Sequence, residues 1–137
     1  MNNMLYIVWN EYNNLGIPII DEQHRGIVST INSFHYFIQE GLGGDALKPT
    51  LNILEQYTKI HFRTEEALIR EAGYPGLEEH LLLHGELMKR TIKITRESNS
   101  CQEPEVALTF LKEWWLGHIN KEDKEYAPYV IEKLRIQ

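Results

Sequence analysis

Cysteine is almost missing from this chain: Cys101 stands alone among 137 residues. Neither an intramolecular disulfide nor a CxxC zinc site can form, and nothing requires an oxidising compartment. Long apolar runs are missing too. No stretch approaches the ~18 consecutive apolar residues of a transmembrane helix, and the opening MNNMLYIVWNEY has no basic segment ahead of an apolar one, as a secretory signal needs. The expectation is a cytoplasmic chain without a membrane partner. Basic residues are the minority, 14 Lys and Arg against 20 Asp and Glu. With no Lys or Arg run, that balance argues against a phosphate-binding face, and so against nucleic acid as a partner. There is no G-x-x-x-x-G-K-[ST], G-x-S-x-G or HExxH, which leaves phosphate binding, serine hydrolysis and zinc proteolysis without support.

What the chain has is helical periodicity. With 42% hydrophobic residues it is long enough for one sizeable core and too short for two comfortable domains, so a single domain over 1–137 is expected. Apolar residues recur at helical spacing in four segments, separated by GLGGD, GYPG and SNSCQEPE. The spacing predicts helices over about 22–40, with Asp21 as N-cap and Gly41 just past the end, and over about 46–72, with Pro49 in its first turn. Two more follow over about 76–98 and about 104–119, then a short C-terminal helix over about 123–135. The fold class is all-α: an antiparallel up-down-up-down four-helix bundle over about 21–120. Residues 1–20, with Trp9, Gly16 and Pro18, form an N-terminal arm packed on it.

Histidine occupies the predicted inner face of all four helices, at His24, His61, His80, His84 and His118. Glu65 follows His61 by one turn, and HLLLH sets His80 and His84 one turn apart, so each pair forms a clamp with about 6 Å between its members. A lone histidine on an apolar face is usually a hydrogen-bonded core residue. Five of the chain's six, with a carboxylate among them, point to metal, because burying so many unpaired polar groups is costly. Asp123 lies five residues after His118, about 140° around a regular helix. The helix must therefore end or bend near Asn120 for a loop carboxylate to swing back as a ligand; otherwise Asp123 is a helix cap. Seven donors exceed one tetrahedral zinc and ask for two ions. If both carboxylates bridge and a solvent oxygen bridges too, two octahedral ions remain one ligand short, a vacancy sized for a small exogenous molecule. The ExxH pairs of oxygen-rich di-iron carboxylate bundles are missing. A histidine-rich site favours reversible dioxygen chemistry over substrate oxidation, while zinc or manganese in the same ligands stays open.

The pattern H…HxxxE…HxxxH…HxxxxD resembles hemerythrin, and WNEY, IIDEQH, HFRTEE, GYPGLEEHLLLH and HINKEDKEY resemble the bacterial single-domain hemerythrins. The likeness runs from Trp9 to about Tyr126. It implies two iron ions per chain with an oxo or hydroxo bridge, and dioxygen as ligand. One iron would be held by His80, His84 and His118, the other by His24 and His61, with Glu65 and Asp123 bridging and the vacancy on the two-histidine iron. Ile27, Trp114 and Ile119 would wall a dry dioxygen pocket, although each would serve equally as plain core. Trp115 stands where the family more often has leucine, and Ile69 where bacterial members often have methionine. The function implied is reversible dioxygen binding for carriage, storage or sensing, without an enzymatic role. An oxygen-consuming enzyme or a reductase is the remaining partner, and a monomer the expected state. The alternatives are a di-iron enzyme reducing peroxide or nitric oxide, and a sensory interaction module.

Other residues are set aside. His35 lies about 16 Å along the helix axis from His24, too far to share its ions. Glu66, Glu78 and Glu79 belong to a solvated charged face. Tyr126 and Tyr129 pack the final helix, with donation toward the bridging carboxylates as the alternative. Cys101 sits in a loop.

Overall fold

The computed structural model describes residues 5–101 and 103–135, with side chains throughout except at 98–101, 119 and 120. Its helices are α1 (Pro18–Gln39), α2 (Gly43–Glu71), α3 (Leu77–Cys101), α4 (Pro104–Gly117) and α5 (Asp123–Leu134). Among the described residues no strand forms. α1 packs on α2, α2 on α3, α3 on α4, and α4 closes back on α1, the ring of a four-helix bundle.

Local chemistry moves several boundaries from those predicted. Pro18 opens α1 at a position where the missing N–H is no loss, so Asp21 is already inside the first turn and is not the N-cap. Its carboxylate folds back onto the arm and accepts the Leu15 N–H at 2.7 Å and the Gly16 N–H at 3.1 Å. α2 starts before its predicted first residue and contains Pro49 internally. The only carbonyl this deprives belongs to exposed Asp45, where water can serve it. α3 runs on to Cys101, which ends a helix rather than lying in a loop. Gly41 and Gly73, at φ of 76° and 71°, supply the left-handed turns that end α1 and α2.

The arm is held by a two-point clamp: the Ile7 N–H donates to Asn32 Oδ1 at 2.8 Å, and Asn32 Nδ2 donates to the Ile7 carbonyl at 2.9 Å. His35, half-buried, stacks on Tyr6 with ring centres 4.8 Å apart, consistent with a place away from the other histidines.

The interior divides into two apolar clusters. One contains Ile27, Ile31, Leu54, Leu87, Leu111 and Trp115; the other contains Ile17, Ile20, Ile69, Tyr126 and Val130. Each fully buried aliphatic side chain contributes roughly 1.5–3 kcal/mol. Along α1 the order is Ile20, His24, Ile27, and along α2 it is Leu54, His61, Glu65, Ile69. The turn from α4 into α5 repeats the scheme with Trp115, His118, Asp123 and Tyr126. A layer of polar side chains is thereby set between the clusters at the level where all the helices meet.

Candidate metal centre

α1 brings His24 to this layer, α2 brings His61 and Glu65, and α3 brings His80 and His84; all are buried. His118 and Asp123 arrive by a device that regular helical spacing misses. The chain does not leave the helix near Asn120. Residues His118–Glu122 form a π-helical turn, in which the Asp123 N–H bonds to the His118 carbonyl five residues back. Widening the turn returns the fifth residue to the same face. Asp123 is therefore neither a loop carboxylate nor a cap beneath the bundle, but the first residue of α5.

The seven side chains form two overlapping groups, Glu65, His80, His84, His118 and Asp123 in one and His24, His61, Glu65 and Asp123 in the other; within each, one ligand atom per residue lies within 4.8 Å of the rest. Asp123 Oδ2 is 3.1 Å from His24 Nε2, while its Oδ1 is 3.0 Å from His118 Nε2 and 3.4 Å from His80 Nε2. Glu65 Oε1 is 3.0 Å from His84 Nε2 and 3.4 Å from His61 Nε2. Each carboxylate thus faces imidazoles of both groups.

These close approaches are not hydrogen bonds. Glu65 Oε1, both Asp123 oxygens and Nε2 of His80, His84 and His118 are buried without a hydrogen-bond partner. Buried threonine hydroxyls of the same bundle behave differently: those of Thr58, Thr91 and Thr95 each donate to the carbonyl one turn back, at 2.6 to 2.9 Å. Orphaned donor atoms that converge without pairing fit cations between them, since desolvated and unsatisfied groups are otherwise costly. Five imidazoles and two carboxylates suit transition ions.

The outer faces of two imidazoles are fixed. His61 Nδ1 is 2.9 Å from Gln23 Oε1, and Gln23 Nε2 donates to Thr64 Oγ1 at 3.0 Å. His84 Nδ1 is 2.8 Å from Glu66 Oε2. Each acceptor calls for an N–H on Nδ1, so a neutral ring turns its Nε2 lone pair into the layer. Glu66 therefore does not sit on the solvated charged face; it is half-buried behind a ring of the layer. Tyr126 OH donates to Glu65 Oε2 at 2.5 Å while its ring packs in the second apolar cluster, and Tyr129 instead donates to the Gly73 carbonyl at 3.2 Å.

Without a cation the layer is electrostatically uneven. Burial lowers His61 to about 4, outweighing the Glu65 carboxylate. For His118 burial acts the same way but is overcome by Asp123 and Glu65, which raise it to about 10. Burial disfavours both carboxylate anions, yet the surrounding imidazoles hold Glu65 below its usual range and Asp123 well below. Burial, then Glu65, pushes the Tyr126 phenol well up.

Apolar rings close the layer. Phe62 stacks on His84 with centres 3.7 Å apart, and the Trp115 ring lies 5.9 Å from His61 and 6.4 Å from His118. Trp114 packs on Trp115 at 4.3 Å, and Ile27 is fully buried in the same cluster. The Ile119 side chain lies outside the described residues. Gln23, Glu66, Phe62 and Trp115 were not singled out in the sequence for contact with the histidines. The contacts Gln23 with His61, Glu66 and Phe62 with His84, and Trp115 with His61 each join separate helices, which spacing along one segment does not reveal.

The pattern of the hemerythrin HHE cation binding domain matches residues 15–130. Bacteriohemerythrin of Stenotrophomonas maltophilia is 33% identical over 128 residues, covering 93% of this chain and 83% of that protein. A hemerythrin from Sipunculus nudus is 29% identical over 107 residues, covering 78% of this chain and 79% of that one. A crystal structure of wild-type hemerythrin superposes with a TM-score of 0.80 at 23% identity, over 91% of this chain and 98% of that one, a likeness of fold. Among the described residues no helix is long and apolar enough to cross a membrane. With a family pattern that spans both apolar clusters and the buried histidine and carboxylate layer between them, this chain belongs to the hemerythrin family.

Proposed function

We propose that the chain, as one domain over 1–137, holds two iron ions and binds dioxygen reversibly, for carriage, storage or sensing rather than for turnover of a substrate. His80, His84 and His118 would hold one ion, His24 and His61 the other, with Glu65 and Asp123 as shared ligands. The observation that carries this reading is the sharing itself: each of two buried carboxylates faces imidazoles of both groups at 3.0 to 3.4 Å, with no hydrogen bond between carboxylate and ring. Bound there as a ferrous pair, the metal would supply the two electrons that reversible dioxygen binding needs.

The protein's part is to hold and to exclude. Gln23 and Glu66 fix the tautomers of His61 and His84, and Tyr126 anchors the far oxygen of Glu65. Ile27, Phe62, Trp114 and Trp115 form an apolar side to the layer, and Ile119 would extend it. Excluding water keeps protons from the reacting centre and favours reversal over irreversible oxidation. The test is to load the protein with ferrous iron without oxygen, admit oxygen, then remove it. A charge-transfer band that appears and disappears through repeated cycles supports the proposal. Bleaching to a ferric form with catalytic consumption of peroxide or nitric oxide assigns the enzyme instead, and failure to take up two ions per chain removes both.

A further inference from the structure

The aromatic rings of α4 do more than fill space. Trp115, fully buried, touches the polar layer at His61 and His118; Trp114 lies against it at 4.3 Å; and Phe110 stacks on Trp114 at 5.5 Å with planes 19° apart. Phe110 is half-buried, and the Arg90 guanidinium lies 5.9 Å from its ring centre. The rings lead from the layer toward the outside of the bundle in two indole steps. Neither indole N–H has a hydrogen-bond partner, although both are buried. Leucine or phenylalanine would fill such positions without an unsatisfied donor, so packing alone accounts poorly for two adjacent tryptophans.

Indole is among the side chains most easily oxidised by one electron, and electron transfer rates fall steeply with distance. An indole whose N–H faces no acceptor cannot lose its proton on oxidation. The positive hole then stays on the ring as a cation and passes to the nearest donor.

We propose that Trp115 and Trp114 form a hole-escape path from the metal centre to the surface beside Phe110 and Arg90; this rests on the metal reading of the layer. When hydrogen peroxide, taking two electrons and two solvent protons to become two waters, leaves the loaded centre two oxidising equivalents above its resting level, Trp115 returns one electron at a time. Trp114 refills Trp115, and a soluble one-electron reductant such as ascorbate refills Trp114. Two such passages carry two electrons from reductant to centre for each peroxide consumed; no bond forms or breaks along the path, and no proton leaves either indole. The path protects the surrounding ligands from oxidation.

The same path run from outside gives the test. A laser-flash-generated ruthenium(III) tris-bipyridine oxidant is mixed with wild type, Trp115→Phe, Trp114→Phe and Trp9→Phe, each metal-free and ferrous-loaded, with metal content measured on the same samples. The transient absorption of the indole cation is followed. In loaded wild type the cation is expected to decay at least tenfold faster than in the metal-free protein, with ferric iron appearing at the same rate. Trp115→Phe and Trp114→Phe are each expected to remove most of that acceleration, and Trp9→Phe, in the arm, to leave it intact. Should one core variant fail to fold or load, the other decides. Full acceleration in a loaded core variant, or none in loaded wild type, overturns the path. Wild type that takes up no metal overturns the metal reading and the path with it, and the metal analysis shows which has failed.

Discussion

The two halves of the histidine layer are built from the same ring but supported differently. On the three-imidazole side His84 leans on the carboxylate of Glu66 at 2.8 Å; on the two-imidazole side His61 leans on the neutral amide of Gln23 at 2.9 Å. Both acceptors fix a tautomer, but only the carboxylate adds negative charge behind the ring and makes its inner nitrogen a stronger donor. In the metal-free molecule the asymmetry extends to protons, with His118 on the first side raised to about 10 and His61 on the second lowered to about 4. On the proposed reading, the half with the added charge would hold the ion that stays saturated, and the other half the ion that keeps a place for a ligand.

The largest expected effect comes from removing what the halves share. Glu65→Ala or Asp123→Ala is expected to abolish loading at both positions, whereas His61→Ala leaves the three-imidazole position able to bind; metal analysis of each variant reads the difference, and two ions per chain in either carboxylate variant would break the assignment. Exchanging the supports is the sharper test of the comparison. Glu66→Gln is expected to weaken binding at the three-imidazole position by roughly 10- to 100-fold, and Gln23→Glu to strengthen the other, so that competition titrations against a chelator bring the two affinities closer. If neither variant moves them, the outer partners do not distinguish the halves.

Proton linkage gives the next effect. Because His118 is held protonated up to about 10 by Asp123 and Glu65 against burial, an incoming ion must expel its proton. Cobalt(II) affinity for that position is expected to rise roughly tenfold per pH unit from about pH 7 to 9, and to flatten in His118→Ala. The smallest effect is on folding. Tyr126→Phe leaves the buried Glu65 Oε2 without its 2.5 Å donor, which costs about 1–3 kcal/mol, measurable by denaturant unfolding of the metal-free protein. An unchanged midpoint would mean that Glu65 finds another partner.

How far the centre could be read in advance varies residue by residue. The clamps His61 with Glu65 and His80 with His84 were legible because residues four apart on one helix share a face whatever the helix packs against. Asp123 was found as a candidate but given the wrong backbone, since the 3.6-residue repeat has no place for a π turn. Glu66 was misplaced because nothing local marks a carboxylate that reaches His84 eighteen residues away. Trp115 stood out only by its departure from the family's leucine, and its contact with His61 joins α4 to α2.

By itself the sequence determined the helical class and the inward histidines, because periodicity, breakers and residue type act over a few neighbours. Only the tertiary structure decided that both carboxylates face imidazoles of each group, that an amide supports one half and a carboxylate the other, and that two indoles lead away from the layer. Such pairings depend on the rotation and axial register of helices packed against one another. That register is set by the whole core rather than by any single segment.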